Sequence, residues 1–191
     1  MTIGVLGLQG DFREHLHILE QLGIAGRDVR NPQALEEVEG LIIPGGESTA
    51  LARLLDNSGL FEPIRQRGHR GFPLFGTCAG MILLAKRASP ALGRSLGLID
   101  IDVARNAYGR QIESFEAELE VNSIGRVQAV FIRAPQVIRL GPEVQVLADY
   151  QGQPVVARQS NVLVASFHPE LSGETRLHEY FAQMIVERAH S

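Results

Sequence analysis

Along this chain, short apolar runs alternate with stretches whose apolar residues recur at helical spacing, the pattern of an α/β fold with a mostly parallel sheet flanked by helices. Residues 3–8 read as a first strand. Asp11 can cap a helix over 13–22 with a Leu16, Leu19, Leu22 stripe, and Gly23 ends it. A strand at 40–43 stops at Pro44-Gly45-Gly46, and Ser48 or Thr49 can cap the next helix, which carries Leu51, Leu54 and Leu55. A helix over 60–67, a strand over 72–75 and a helix from Ala79 to about Lys86 follow. The middle changes character. Segments 98–103, 113–121 and 127–132 are β-type without intervening helices, which predicts antiparallel strands added to the parallel sheet. Segments 144–149 and 155–158 form a hairpin through Gly152 and Pro154. A last strand at 162–167 ends at His168-Pro169, and an amphipathic helix over 174–188 completes the pattern.

The 191 residues suit one domain spanning 1–191. A net charge of -4 and no basic run longer than two residues argue against a nucleic-acid ligand, which requires a concentrated positive field. The runs at 81–85 and 162–165 fall well short of the ~18 apolar residues of a membrane span. The opening MTIGVLGLQGD has no basic segment and is broken by glycines, so it reads as a buried strand and the expected location is the cytoplasm. The single cysteine, Cys78, can make neither an internal disulfide nor a cysteine-rich zinc site.

Cys78 stands in Gly76-Thr77-Cys78-Ala79-Gly80, between a strand and a helix, which is the pattern of a nucleophile elbow. The glycines free both flanks of a sharp turn, and the helix N-terminus favours a thiolate. The Ala79 N–H is then placed to hold an oxyanion. A nucleophilic thiol needs a base, and Phe167-His168-Pro169-Glu170 offers one at the end of the last strand. Residues i and i+2 of an extended segment point the same way, so Glu170 can orient His168. The remaining histidines, His15, His17, His69, His178 and His190, have no acid so arranged and read as surface residues. At Pro44-Gly45-Gly46-Glu47-Ser48-Thr49 the Gly46 N–H can be a second oxyanion donor, and Glu47 can meet an α-ammonium group.

Together these elements resemble the triad (class I) glutamine amidotransferases, which implies a flavodoxin-like α/β sheet. More narrowly, Gly7-Leu8-Gln9-Gly10, the 44–49 and 76–80 motifs, Arg105-Asn106 with Gly109-Arg110-Gln111, Ser114-Phe115-Glu116, Phe131-Ile132-Arg133-Ala134-Pro135 and Ser166-Phe167-His168-Pro169-Glu170-Leu171 resemble the family of glutaminase subunits of pyridoxal 5'-phosphate synthase. Ala107 and Tyr108 stand where that family more usually carries Ser and Phe, and neither is needed for the triad. The resemblance implies that Gly46, Glu47 and Ser48 bind L-glutamine, with Arg105, Ile132 and Arg133 completing the pocket. From local spacing alone, Arg105 and Arg133 fit surface ion pairs equally well. Gln9 and Gly10 look like the family's loop that responds to synthase docking.

These readings converge on an amidase in which Cys78, His168 and Glu170 release ammonia from glutamine, with no metal and no cofactor required. Free ammonia would be protonated and lost, so the acceptor chemistry is expected on another chain. The resemblance implies that this partner is the pyridoxal 5'-phosphate synthase subunit, in a large heteromeric ring complex. The competing readings are a glutaminase serving another synthase, a non-catalytic binding domain on the same fold, and a thiol peptidase or stress protein on a similar sheet.

Overall fold

A computed structural model describes residues 1–105 and 114–190. In chain order its elements are β1 (Thr2–Leu6), α1 (Phe12–Gln21), β2 (Ala25–Val29), α2 (Pro32–Glu36), β3 (Gly40–Ile43), α3 (Ser48–Asn57), α4 (Phe61–His69), β4 (Leu74–Thr77), α5 (Ala79–Leu84), β5 (Ala85–Ser89) and β6 (Ile99–Ala104). There follow β7 (Ser114–Val121), β8 (Gly125–Ile132), β9 (Gln136–Leu140), β10 (Gln145–Tyr150), β11 (Gln153–Gln159), β12 (Val162–Ala165), a single 3-10 turn at Pro169–Leu171 and α6 (Arg176–Ala189).

Seven strands form the main sheet in the order β10-β11-β12-β4-β3-β1-β2. The five from β12 to β2 are mutually parallel, and β11 and β10 extend the sheet as an antiparallel hairpin. The central strands β3, β4 and β12 are buried at every residue, so they read as continuous apolar runs. Helices cover both faces. On one, α6 lays Leu177, Phe181 and Ile185 on the sheet; burial of such a side chain stabilises by roughly 1.5–3 kcal/mol.

The expected architecture is present, with local departures that include the unpredicted α2 and β9. β2 went unpredicted because it is an edge strand whose Ala25, Gly26 and Arg27 are exposed; parallel pairing with β1 holds it, not apolar alternation. The helix after the cysteine stops at Leu84, and the chain continues extended as β5. The middle segments do not join the main sheet. β5-β6-β9 make a small mixed sheet, and β7-β8 make a separate two-stranded ribbon. Arg139 of β9 fastens the former by reaching Asp100 at 2.5 Å and Asp102 at 2.9 Å on β6. Glu113, the predicted first residue of β7, lies outside the described residues.

Chain order reverses between β1 and β3, since the path leads outward to β2 on one side and to β3, β4 and β12 on the other. Open α/β sheets place ligands beyond the carboxyl ends of strands at such a point. The loops after β1, β3, β4 and β12 carry Gln9-Gly10, Gly45-Gly46, Cys78 and His168 respectively.

Candidate active site

The cysteine elbow is built by close packing. Cys78 has φ 47° and ψ -103°, a conformation that costs a non-glycine residue about 1–3 kcal/mol. Its N–H bonds to the Ala165 carbonyl at 2.9 Å, continuing the β4–β12 ladder by one residue. A Cβ on Gly80 would lie 2.0 Å from the Ile43 carbonyl oxygen, and one on Gly76 would lie 2.6 Å from the Gly80 carbonyl carbon. Those glycines therefore let α5 descend onto β3 and β4, which holds the strained turn in place. Ala79, the first residue of α5, has a backbone N–H without an intrahelical acceptor.

Thr77 pairs with Ala165 across the two strands, so the turns that carry Cys78 and His168 leave the sheet side by side. The ring of His168 rests on Gly45, where a Cβ would come within 2.3 Å of Cε1. Its backbone N–H bonds to the Val130 carbonyl at 2.8 Å, tying the β7-β8 ribbon to the site. His168 Nδ1 is 2.7 Å from Glu170 Oε1 and 3.2 Å from Asp11 Oδ2. One N–H faces two acids, and the shorter contact is to Glu170. Burial works against a charged His168, but hydrogen bonds with Asp11, Cys78 and Glu170 outweigh it and push the pKa up to about 12. Burial raises the Glu170 carboxyl, and the hydrogen bond and charge of His168 oppose that rise.

Gly46, Glu47, Ser48, Cys78, Arg105, Ile132, Arg133 and His168 line one cleft of about 730 Å3, joined by Asp11, Ile82, Ser114 and Leu171. The sequence therefore identifies most of its wall. The Cys78 thiol faces the Ile132 carbonyl oxygen at 3.8 Å. Gly46 has φ 143°, and the Gln9 side chain packs against it and donates from Nε2 to the Glu47 carbonyl at 2.8 Å. Gly10, at φ 81°, sits where a Cβ would be 1.8 Å from the Gly45 carbonyl oxygen, so the loops after β1 and β3 interlock.

Three expectations are corrected. The N-cap of α3 is Glu47, not Ser48 or Thr49: its carboxylate accepts from Thr49 N at 2.9 Å and Ala50 N at 2.7 Å, because a longer side chain at the cap position reaches both amides. Those amides, Thr49 first, hold the exposed Glu47 carboxyl below its usual range. Asp11 makes no side-chain capping bond and turns to His168 instead. His15 and His178 are fully buried, with His15 Nδ1 2.8 Å from His178 Nε2. His17, His69 and His190 are exposed as expected. Arg105, expected in the pocket, lines the cleft: its Nη2 donates to Thr49 Oγ1 at 2.9 Å and lies 3.9 Å from Glu47 Oε1. Asn106, Ala107, Tyr108, Gly109, Arg110 and Gln111 fall outside the described residues.

Asp11, His168 and Glu170 present donor atoms within 4.8 Å of one another, a spacing also compatible with a metal ion. His168 Nδ1 serves as the hydrogen-bond donor to Glu170 here, which occupies the atom a metal would need.

A strained cysteine thus stands across adjacent parallel strands from a histidine whose Nδ1 meets a glutamate. The chain belongs to the SNO glutamine amidotransferase family, whose model matches residues 5–187. Pyridoxal 5'-phosphate synthase subunit PdxT of Thermosipho africanus is 55% identical over 97% of this chain and 99% of that protein. The protein of the same name from Thermotoga maritima is 48% identical over 97% of this chain and all of its own length. A crystal structure of a glutamine amidotransferase superposes with TM-score 0.92 at 49% identity, covering 96% of this chain and 98% of that one. PurLQS from Thermotoga maritima, at 18% identity and TM-score 0.71 over 98% of each chain, shares the fold. Among the described residues no helix is long and apolar enough to cross a membrane.

Proposed function

We propose that residues 1–191 act as one amidotransferase domain that hydrolyses L-glutamine and delivers the ammonia to a pyridoxal 5'-phosphate synthase subunit. The observation that carries the chemistry is the strained Cys78 set beside a His168 whose Nδ1 is held 2.7 Å from Glu170. The Cys78 thiolate attacks the side-chain amide carbon, and the oxyanion is held by the N–H groups of Gly46 and Ala79. His168, charged at neutral pH, passes its proton to the departing nitrogen, which leaves as ammonia. The neutral imidazole then takes a proton from water as it attacks the thioester, glutamate departs and the thiolate is restored.

The cleft supports free glutamine as substrate, with Gly46, Glu47, Ser48, Arg105, Ile132 and Arg133 as its wall. With the Glu47 carboxylate committed to the helix cap and kept ionised there, its outer edge offers a fixed negative charge for an α-ammonium group. The names of the relatives support vitamin B6 synthesis as the destination and a synthase subunit as the partner. We place the complex in the cytoplasm, as a heteromeric ring with Gln9 and Gly10 at its docking loop. This chemistry uses neither metal nor organic cofactor.

The test is glutamate release by the purified chain, alone and mixed with its synthase subunit, with Cys78→Ala as control. Release that rises on mixing and disappears in the variant supports the proposal. Turnover that persists in Cys78→Ala, or none in a demonstrated complex, overturns it.

A further inference from the structure

The proposed mechanism uses one oxygen of Glu170. Oε1 receives the proton of His168 Nδ1, whereas Oε2 is buried and has no partner meeting strict hydrogen-bond geometry. The group facing it is His15 of α1, whose Nε2 lies 3.4 Å from Oε2 and 3.3 Å from the Thr77 hydroxyl. Behind His15, at 2.8 Å from its Nδ1, stands Nε2 of His178 on α6. All three side chains are fully buried. Phe75 meets the His178 ring edge-on at 5.7 Å and packs the pair from the sheet. The result is a continuous path, His178–His15–Glu170–His168, from the helix layer to the cleft.

We propose that His15, itself oriented by His178, is a positioning residue of the triad: its Nε2–H supplies the donor for Glu170 Oε2 and keeps the carboxylate ionised and aimed at His168. The inference rests on the Cys78–His168–Glu170 mechanism proposed above. Tautomers decide the direction of the path. If His15 carries its proton on Nε2, then Nδ1 accepts from His178 Nε2–H, and the bare nitrogen is His178 Nδ1. That atom is the one fully buried imidazole nitrogen among the described residues that lacks a geometric hydrogen-bond partner; the Glu174 backbone beside the ring raises its basicity, but by less than burial lowers it. The reverse assignment turns a lone pair of His15 toward Glu170 Oε2 and strands a buried carboxylate oxygen, the more costly omission. Both rings stay neutral, because burial drives His15 well below the usual histidine range and His178 down to about 4. A neutral donor suits the task, since a second cation beside Glu170 would compete with His168 for its charge. Two histidines merely filling the core would need only each other, yet this pair ends on a triad oxygen.

The charged and titratable groups around Glu170 are His168, Asp11 and His15, and those around His15 are Glu170, His168 and His178. Without the His15 donor, burial raises Glu170 unopposed on that side, and it takes up a proton at higher pH. The experiment compares His15→Leu with His15→Gln, whose amide N–H reaches the position of Nε2, in the full complex with the synthase subunit. His15→Leu is expected to shift the acid limb of kcat/KM upward by about one pH unit and to lower kcat about tenfold at neutral pH. KM for glutamine stays within about twofold, because His15 does not reach the cleft, and His15→Gln restores the wild-type limb. An unmoved limb in His15→Leu, or equal losses in both variants, overturns the proposal. Should the variants not fold, 15N imidazole spectra of the native chain still decide: His15 must be the neutral Nε2–H tautomer from about pH 5 to 9. An Nδ1–H or charged His15 overturns it. Loss of wild-type turnover in Cys78→Ala separates failure of this inference from failure of the triad.

Discussion

His168 and His178 occupy the two ends of one chain of contacts through Glu170, and their environments drive them in opposite directions. Both are buried, His168 to 4% exposure and His178 completely. Burial lowers the basicity of each. On the cleft side, Asp11, Cys78 and Glu170 face His168 and carry it to about 12. On the helix side, His178 faces a neutral ring and falls to about 4. Burial alone therefore does not decide the charge of an imidazole. Acids and a thiol within hydrogen-bond reach decide it, which confines positive charge to the side where the proposed mechanism requires an amide nitrogen to be protonated.

The contrast can be broken most completely at Cys78. Cys78→Ala should reduce glutamate release by roughly 10^4-fold or more, because nucleophile and base act as a unit. It should also lower the His168 imidazole pKa in an NMR titration. Glu170→Gln keeps the shape but removes the charge, and turnover is expected to fall by about 10^2- to 10^4-fold, with His168 again less basic. Asp11→Asn removes the longer of the two acid contacts to His168 Nδ1, so a smaller decrease is expected, roughly tenfold or less in kcat, with the His168 titration moved in the same direction. A decrease larger than that of Glu170→Gln would show that Asp11, and not Glu170, is the principal partner.

The smallest effect concerns stability and has opposite signs at the two ends. His178 has a folded pKa near 4 against 6.5 unfolded, so the unfolded chain binds more protons in that window and stability falls as pH drops from 6.5 toward 4. The full difference is roughly 3 kcal/mol. His168 is raised, so its contribution is fully present below 6.5 and is lost as pH climbs toward 12. Urea titrations across pH 4–6.5 should therefore show a shallower acid slope in His178→Leu than in the native chain, whatever the offset between them. An unchanged slope would place the acid sensitivity elsewhere.

The strained turn at Cys78, the turn that carries His168 and the glycine turns were legible because each is a short pattern at a strand end, where local geometry dictates residue type. Helical spacing also marks what was misread. His15 lies one turn before Ile18 and Leu19, and His178 lies between Leu177 and Phe181, so both belong to buried stripes. An acid sought only two residues away hid their link to Glu170, which forms when α1 and α6 pack around the turn after β12. Asp11 reads as a cap because its true partner, His168, arrives from the far end of the chain. β2 and the two small sheets depend on pairing partners that no local pattern announces. The position of Arg105 over Thr49 likewise follows from tertiary placement, since nothing near it in sequence marks an acceptor.

On the proposed mechanism, the chain order divides the reaction between two lengths of polypeptide. Everything up to the β10-β11 turn carries Cys78 and the cleft wall from Gly46 to Arg133, whereas His168 and Glu170 arrive only with the final strand. That turn, Gln151-Gly152, is exposed at the edge of the sheet, with both residues at positive φ and open space around the glycine. On the proposed mechanism a cut there leaves a nucleophile on one fragment and its base on the other, and the β10–β11 and β12–β4 ladders help to set the register in which they meet. Released ammonia would then report the rejoining of two otherwise silent halves, which makes this hairpin the natural place to turn the enzyme into a sensor of proximity.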